Sequence, residues 1–146
     1  MNALILNRND NLKMKKKKIL IVDDEIDMRI FISTLLETAG YKSLVSRNGK
    51  EGILKVKKFM PDLIILDVMM PEEGGVKMYR QLKTDNKLKN IPVIMLSAVA
   101  KKTFFHYLNM LNVQSMHPVS EPEAYMEKPP EATVLLKIIK QFVGIG

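Results

Sequence analysis

The strongest constraint in this sequence is a set of apolar runs with no polar residue at alternate positions. Ile19-Leu20-Ile21-Val22 and Leu63-Ile64-Ile65-Leu66 are continuous, and Ile91 to Leu96 is broken only by Pro92. A strand with one wet face alternates, whereas a continuous run implies a strand covered on both sides. Covering both faces of a sheet calls for helices on each, and the intervening segments supply them. Met28, Phe31, Ile32, Leu35, Leu36 and Ala39 recur at spacings of three and four before Gly40, a fitting helix stop.

The rest of the chain repeats the alternation. Ser43-Leu44-Val45 reads as a short strand and Asn48-Gly49 as a turn; Ile53, Val56 and Met60 then mark a helix stopped by Pro61. Gly74-Gly75 precedes a helix with Val76, Tyr79 and Leu82 inward, and Phe104, Leu108 and Leu111 suggest another. Asn112 to Glu123 is poorly patterned and contains Pro118 and Pro122. Ala124-Tyr125-Met126 is strand-like, Lys128-Pro129-Pro130 a turn, and Leu135, Ile138, Ile139 and Phe142 fit a final helix. Five strand–helix units predict an α/β domain, a doubly wound five-stranded parallel sheet over residues 18–143. The expected flanks are a basic, unstructured leader at 1–17 and a short tail at 144–146.

Composition narrows the function. With 146 residues and 47% hydrophobic side chains the chain can bury a core, and without cysteine it has no disulfide or thiol chemistry. That suits a cytoplasmic setting. No apolar run approaches the roughly 18 residues of a membrane span, and no signal peptide is evident. Much of the net charge of +7 sits in residues 1–18, where Arg8 and five lysines face only Asp10. Lacking interleaved aromatics, this run reads first as a solvated tail, so neither membrane nor direct nucleic-acid binding is expected.

Ligands of such sheets bind beyond the carboxyl ends of the strands. Asp23 and Asp24 follow the first predicted strand, Asp67 the third, Ser97 the fourth and Lys128 the fifth. Alone, each has a plain explanation: a helix cap for the acidic pair, turn residues for the others. Together they bring three carboxylates to one edge, which cannot all ionise cheaply without a cation. Hard oxygen ligands suit Mg²⁺, with Mn²⁺ as a substitute, and an Asp carboxylate is a competent nucleophile toward phosphorus. The expected assignment is Asp67 as phosphoacceptor, metal on Asp23, Asp24 and Asp67, Lys128 on a phosphoryl oxygen and Ser97 donating a hydroxyl bond.

Asp23-Asp24-Glu25, Asp67-Val68-Met69-Met70-Pro71, Ser97-Ala98 and Tyr125-Met126-Glu127-Lys128-Pro129, in this order, resemble the receiver domains of response regulators over about residues 18–143. The resemblance implies the flavodoxin-like (βα)5 fold and phosphorelay signalling, with a sensor histidine kinase or phosphotransfer protein as donor. It adds the backbone carbonyl of Met69 as a metal ligand and Tyr125 as the switch aromatic. It also implies a downstream protein partner of unknown identity, homodimerisation on phosphorylation as an option, and no catalysis beyond the domain's own phosphorylation and dephosphorylation.

Three features depart from the family pattern. Gly74 stands where Asp is usual, Pro130 replaces a bulky apolar residue, and the stretch from Ser97 to Lys128 is long, with extra residues around Met116 to Glu123. The alternatives are a receiver cut from a larger regulator or hybrid kinase, and a binding module that no longer uses phosphate. A haloacid-dehalogenase-type phosphatase fits poorly, because Asp67 lacks a second Asp two residues on. A kinase role fails too, since His106 and His117 have no glycine-rich nucleotide loop beside them.

Overall fold

The continuous apolar runs form the centre of a parallel sheet. The computed structural model describes residues 4–6, 12–69 and 74–145. Its elements are β1 (Leu4–Leu6), β2 (Leu12–Met14), β3 (Lys18–Val22), α1 (Ile26–Thr38), β4 (Lys42–Ser46), α2 (Gly49–Phe59), β5 (Leu63–Leu66), α3 (Gly75–Thr84), β6 (Val93–Ser97), α4 (Lys101–Gln114), β7 (Ala124–Glu127) and α5 (Ala132–Val143). The five-stranded sheet has the order β4-β3-β5-β6-β7, with every neighbouring pair parallel. The doubly wound α/β expectation holds.

Alternation along the strands divides the core in two. Leu20, Val22, Ile64, Leu66, Val93 and Met95 face α2, α3 and α4 through Val56, Met78, Tyr79, Leu82, Phe104 and Leu108. Ile19, Ile21, Leu63, Ile65, Ile94 and Leu96 face α1 and α5 through Ile32, Leu36, Leu135 and Ile139. Full burial of each such side chain contributes about 1.5–3 kcal/mol, which is why the runs tolerate no polar interruption. The chain leaves β3 toward β4 on one side and returns to β5 on the other. The ends of β3 and β5 therefore flank the switch point of the sheet.

Several local expectations change. Two segments of the leader pair as an antiparallel ribbon, β1 with β2, where no structure was expected. Asn48 is the N-cap of α2 rather than part of a free turn, its side chain accepting the Glu51 N–H at 2.8 Å. Met60 lies beyond that helix with φ 46°, exposed, because Pro61 prevents another turn. Phe142, at the end of α5, is 40% exposed.

The long segment before β7 is fastened by specific bonds. Tyr79 Oη donates to the Ser120 carbonyl at 2.6 Å, and Arg80 donates to Ser115 Oγ at 2.9 Å. Asn112 both donates to the Val119 carbonyl and accepts its N–H. Glu123 accepts from Lys83 Nζ at 3.0 Å and from the Val93 N–H at 2.6 Å. The extra residues thus lie along α3 and the start of β6.

Helix α3 begins against the end of β5. A Cβ at Gly75 would overlap the Asp67 carbonyl oxygen and come within 2.7 Å of Val68 Cα, both backbone atoms. Substituting Gly75→Ala should therefore destabilise the fold by about 2 kcal/mol, outweighing the better helix propensity of alanine. Urea denaturation reads this directly; a variant as stable as the parent would show that the close approach is not a constraint.

Candidate functional site

Asp23, Asp67, Ser97 and Lys128 are each delivered by the end of a strand. Asp23 follows β3 and is anchored by its N–H on the Ser46 carbonyl; Asp67 follows β5 with its N–H on the Val22 carbonyl. Both are almost fully buried, 2% and 3% exposed, while Asp24 is exposed. Ser97 ends β6, fully buried, and its carbonyl accepts the Lys128 N–H at 2.8 Å, which sets the lysine at the same edge.

The Lys128 ammonium lies among the carboxylates. Its Nζ is 2.8 Å from Asp23 Oδ2, 2.9 Å from Glu25 Oε1 and 3.2 Å from Asp67 Oδ2. Carboxylate oxygens of Asp23, Asp24, Glu25 and Asp67 can lie within 4.8 Å of one another. Burial raises the Asp67 carboxyl above its ordinary range against the pull of the Met69 N–H and Lys128, and the Asp23 charge adds to the rise. Burial also opposes the charge on Lys128. Its hydrogen bonds to Asp23 and Glu25, with the charges of Asp23 and Asp67, prevail and hold it protonated above the usual lysine range. Glu25 is lowered by its hydrogen bond to Lys128 and by the lysine's charge.

Glu25 is the participant that sequence reasoning missed. It heads α1 at the N-cap, yet its side chain makes no capping bond and turns to Lys128 instead. The signal was present as the third acid in Asp23-Asp24-Glu25. A second omission is Arg29, which donates to the Asp23 carbonyl at 2.8 Å and braces the loop from one helical turn away.

The remaining residues form a linked strip. Met69 donates its N–H to Asp67 Oδ1 at 2.9 Å, fixing the carboxylate's rotation. Ser97 Oγ accepts the Val99 N–H at 3.1 Å, and Tyr125 Oη donates to the Val99 carbonyl at 2.6 Å. The hydroxyl of Tyr125 is thus engaged within the protein, and its ring stacks on Phe104 at 5.4 Å. Burial raises the phenol above its ordinary pKa. An apolar cavity opens beside this strip, lined by Val68, Met69, Val76, Val99, Phe104 and Tyr107.

Such a site holds a buried nucleophilic carboxylate, a cation beside it and a cluster of hard oxygen donors. The carboxylates fit a divalent cation: a positive charge already sits among them, in the form of the lysine. No helix among the described residues is long and apolar enough to cross a membrane.

Comparison with known proteins agrees with the geometry. The family model described as the response regulator receiver domain matches residues 19–139. The polar-differentiation response regulator DivK of Brucella anthropi is 31% identical over 131 residues, covering 90% of this chain and 98% of the relative. Among solved structures, the chemotaxis protein CheY4 of Vibrio cholerae matches with a TM-score of 0.75 at 26% identity, covering 88% of this chain and 99% of that one. The receiver domain of a signal transduction histidine kinase from Syntrophus aciditrophicus matches with a TM-score of 0.73 at 30% identity, over 87% and 89% of the two chains. With sequence, fold and strand-end residues in accord, this chain belongs to the response regulator receiver domain family.

Proposed function

We propose that this receiver domain takes a phosphoryl group onto Asp67 in a Mg²⁺-dependent reaction. The donor is a sensor histidine kinase or a phosphotransfer protein, and the product is read by a downstream protein partner. One observation carries the proposal: Asp67 is buried beside Asp23, with the Lys128 ammonium shared between them. In the reaction an Asp67 oxygen bonds to phosphorus as the bond from phosphorus to the donor nitrogen breaks, and the electron pair leaves with the donor.

Asp23, Asp24, Asp67 and the backbone carbonyl of Met69 would hold the metal. When bound, Mg²⁺ supplies positive charge to the carboxylates and to the phosphoryl oxygens. Lys128 would move from the carboxylates to a phosphoryl oxygen, and Ser97 would turn its hydroxyl toward another. If Ser97 rotates about χ1 to reach that oxygen, its Oγ leaves the Val99 N–H it now accepts, and the Val99 carbonyl holds Tyr125. That linkage supports a switch in which Tyr125 changes partner on phosphorylation. The domain would act on nothing but its own phosphoryl group.

Incubation with acetyl phosphate or phosphoramidate and Mg²⁺ should add one phosphoryl group by intact-mass measurement, and Asp67→Asn should abolish the addition. Persistent full labelling of that variant would sink the assignment.

Metal affinity separates the roles of two side chains. Asp24→Ala removes an expected ligand and should weaken Mg²⁺ binding at least tenfold, about 1.4 kcal/mol. Lys128→Met removes a cation that shares Asp23 and Asp67 with the metal, so binding should tighten at least threefold while phosphoryl uptake slows. Calorimetric titration distinguishes these shifts; weaker binding in Lys128→Met would mean the lysine does not compete.

Loss of the phosphoryl group by hydrolysis needs a water in line with phosphorus. The flanking side chains Met69 and Val99 are apolar and line the cavity beside the site, so neither can orient that water by a hydrogen bond. The phosphorylated state should decay over minutes to hours, and Met69→Asn/Val99→Glu should shorten it. Decay within seconds in the parent, or no acceleration in the double variant, refutes the argument.

A further inference from the structure

The sequence sets a lysine run ahead of the domain, and the fold gathers further lysines around it at the edge opposite Asp67. Lys18 starts β3 and pairs in register with Lys42 at the start of β4, while the Lys42 N–H donates to the Lys17 carbonyl at 2.8 Å. The Lys18 ammonium donates to the Phe59 carbonyl at 2.6 Å, which brings the end of α2 with Lys57 and Lys58 to the same place. Lys57 and Lys87 then line one concave groove with Met60, joining α2 to the turn before β6, where Lys89 follows. Lys15, Lys16, Lys42, Lys57, Lys58, Lys87 and Lys89 are all exposed.

The carboxylates at this edge are engaged internally. Asp62 accepts the Lys18 N–H at 2.8 Å, Asp85 the Lys87 N–H at 2.8 Å, Glu37 the Ser43 hydroxyl, and Glu123 the Lys83 ammonium. Glu121 is an exposed acid in the neighbouring segment. Helix-dipole complementarity accounts for Lys57 and Lys58 in the last turn of α2. It does not account for Lys15, Lys16, Lys42, Lys87 or Lys89, which lie outside helix ends.

We propose that this lysine edge is a docking surface for an anionic lipid bilayer, holding the domain with its Asp67 edge turned away from the membrane. The side-chain chemistry favours lipid over nucleic acid. The basic groups named here are all lysines, compact point charges that suit a diffuse layer of headgroups, without the planar fork of arginine. Phe59 is the one half-buried aromatic beside them, its ring covered by the Lys58 ammonium at 5.2 Å, so the patch offers bases no row of open rings to stack on. Lysines near an anionic membrane each strengthen attachment about fivefold, and exposed Met60 adds an apolar contact at the centre.

The test is co-sedimentation of the full chain with vesicles of phosphatidylcholine, with or without about one-third phosphatidylserine, at low salt and at high salt, where screening is nearly complete. The expected result is binding to the anionic vesicles alone, lost at high salt. Lys57→Glu/Lys58→Glu/Lys87→Glu/Lys89→Glu should lose at least fiftyfold. Arg47→Glu/Lys50→Glu/Lys101→Glu/Lys102→Glu, with the same net charge but altered at the opposite edge, should lose less than fivefold. Equal losses in the two variants, equal binding to both kinds of vesicle, or tighter binding to duplex DNA in the same buffer would overturn the proposal. Should either variant fail to fold, as read by thermal denaturation, the lipid, DNA and salt comparisons on the parent decide the matter.

Discussion

Two carboxylates buried at the ends of adjacent central strands repel each other, and a parallel sheet gives them no route apart. The backbones of Asp23 and Asp67 are fixed by ladder-type bonds to Ser46 and Val22, so their main chains cannot move apart without unzipping the strands. Their mutual repulsion must be met by a cation. In the structure that cation is Lys128, carried by the last strand and placed by its own backbone bond to Ser97. The order of the strands and the turn after β7 bring that lysine to the two carboxylates. Exchange of that cation for another, with Lys128 released, is how the site would report chemistry to the surface.

Release of Lys128 would reach well beyond the carboxylates. Glu25 holds the ammonium from the head of α1, and Ser97 holds its backbone from the end of β6. From Ser97 the path continues through Val99 to Tyr125 and the aromatic group with Phe104 and Phe105. Each step is a hydrogen bond or ring contact, so the path from Lys128 to the aromatic group is physically contiguous. The same strip lines the apolar cavity, so rearrangement there changes the shape of an exposed surface.

Much of this was legible in the residues. Unbroken runs such as Leu63 to Leu66 can be strands only if covered twice, and that alone implies helices on both faces. The strand-end positions of Asp23, Asp67, Ser97 and Lys128 followed from where each run stops. Glu25 was given no role of its own beyond its place in Asp23-Asp24-Glu25, because its partner Lys128 lies 103 residues away, a distance that no local pattern spans. Asn48 was read as a turn for a related reason, since Asn-Gly serves both turns and caps and only the following helix decides. The lysine run before β3 was legible, but its extension into an edge was not, because Lys42, Lys57, Lys58, Lys87 and Lys89 lie far apart along the chain and meet only when the strands align.

The segment between α4 and β7 has a mechanical meaning. Ser115, Val119 and Ser120 are bonded to Arg80, Asn112 and Tyr79, so the far end of α4 is moored to α3. Its near end begins at Lys101, just past Val99, where the bonds of Ser97 and Tyr125 meet. A rod clamped at one end and nudged at the other swings about the clamp. Displacement of α4 would be largest beside the site and smallest at Gln114. With that mooring in place, α4 would pivot rather than slide.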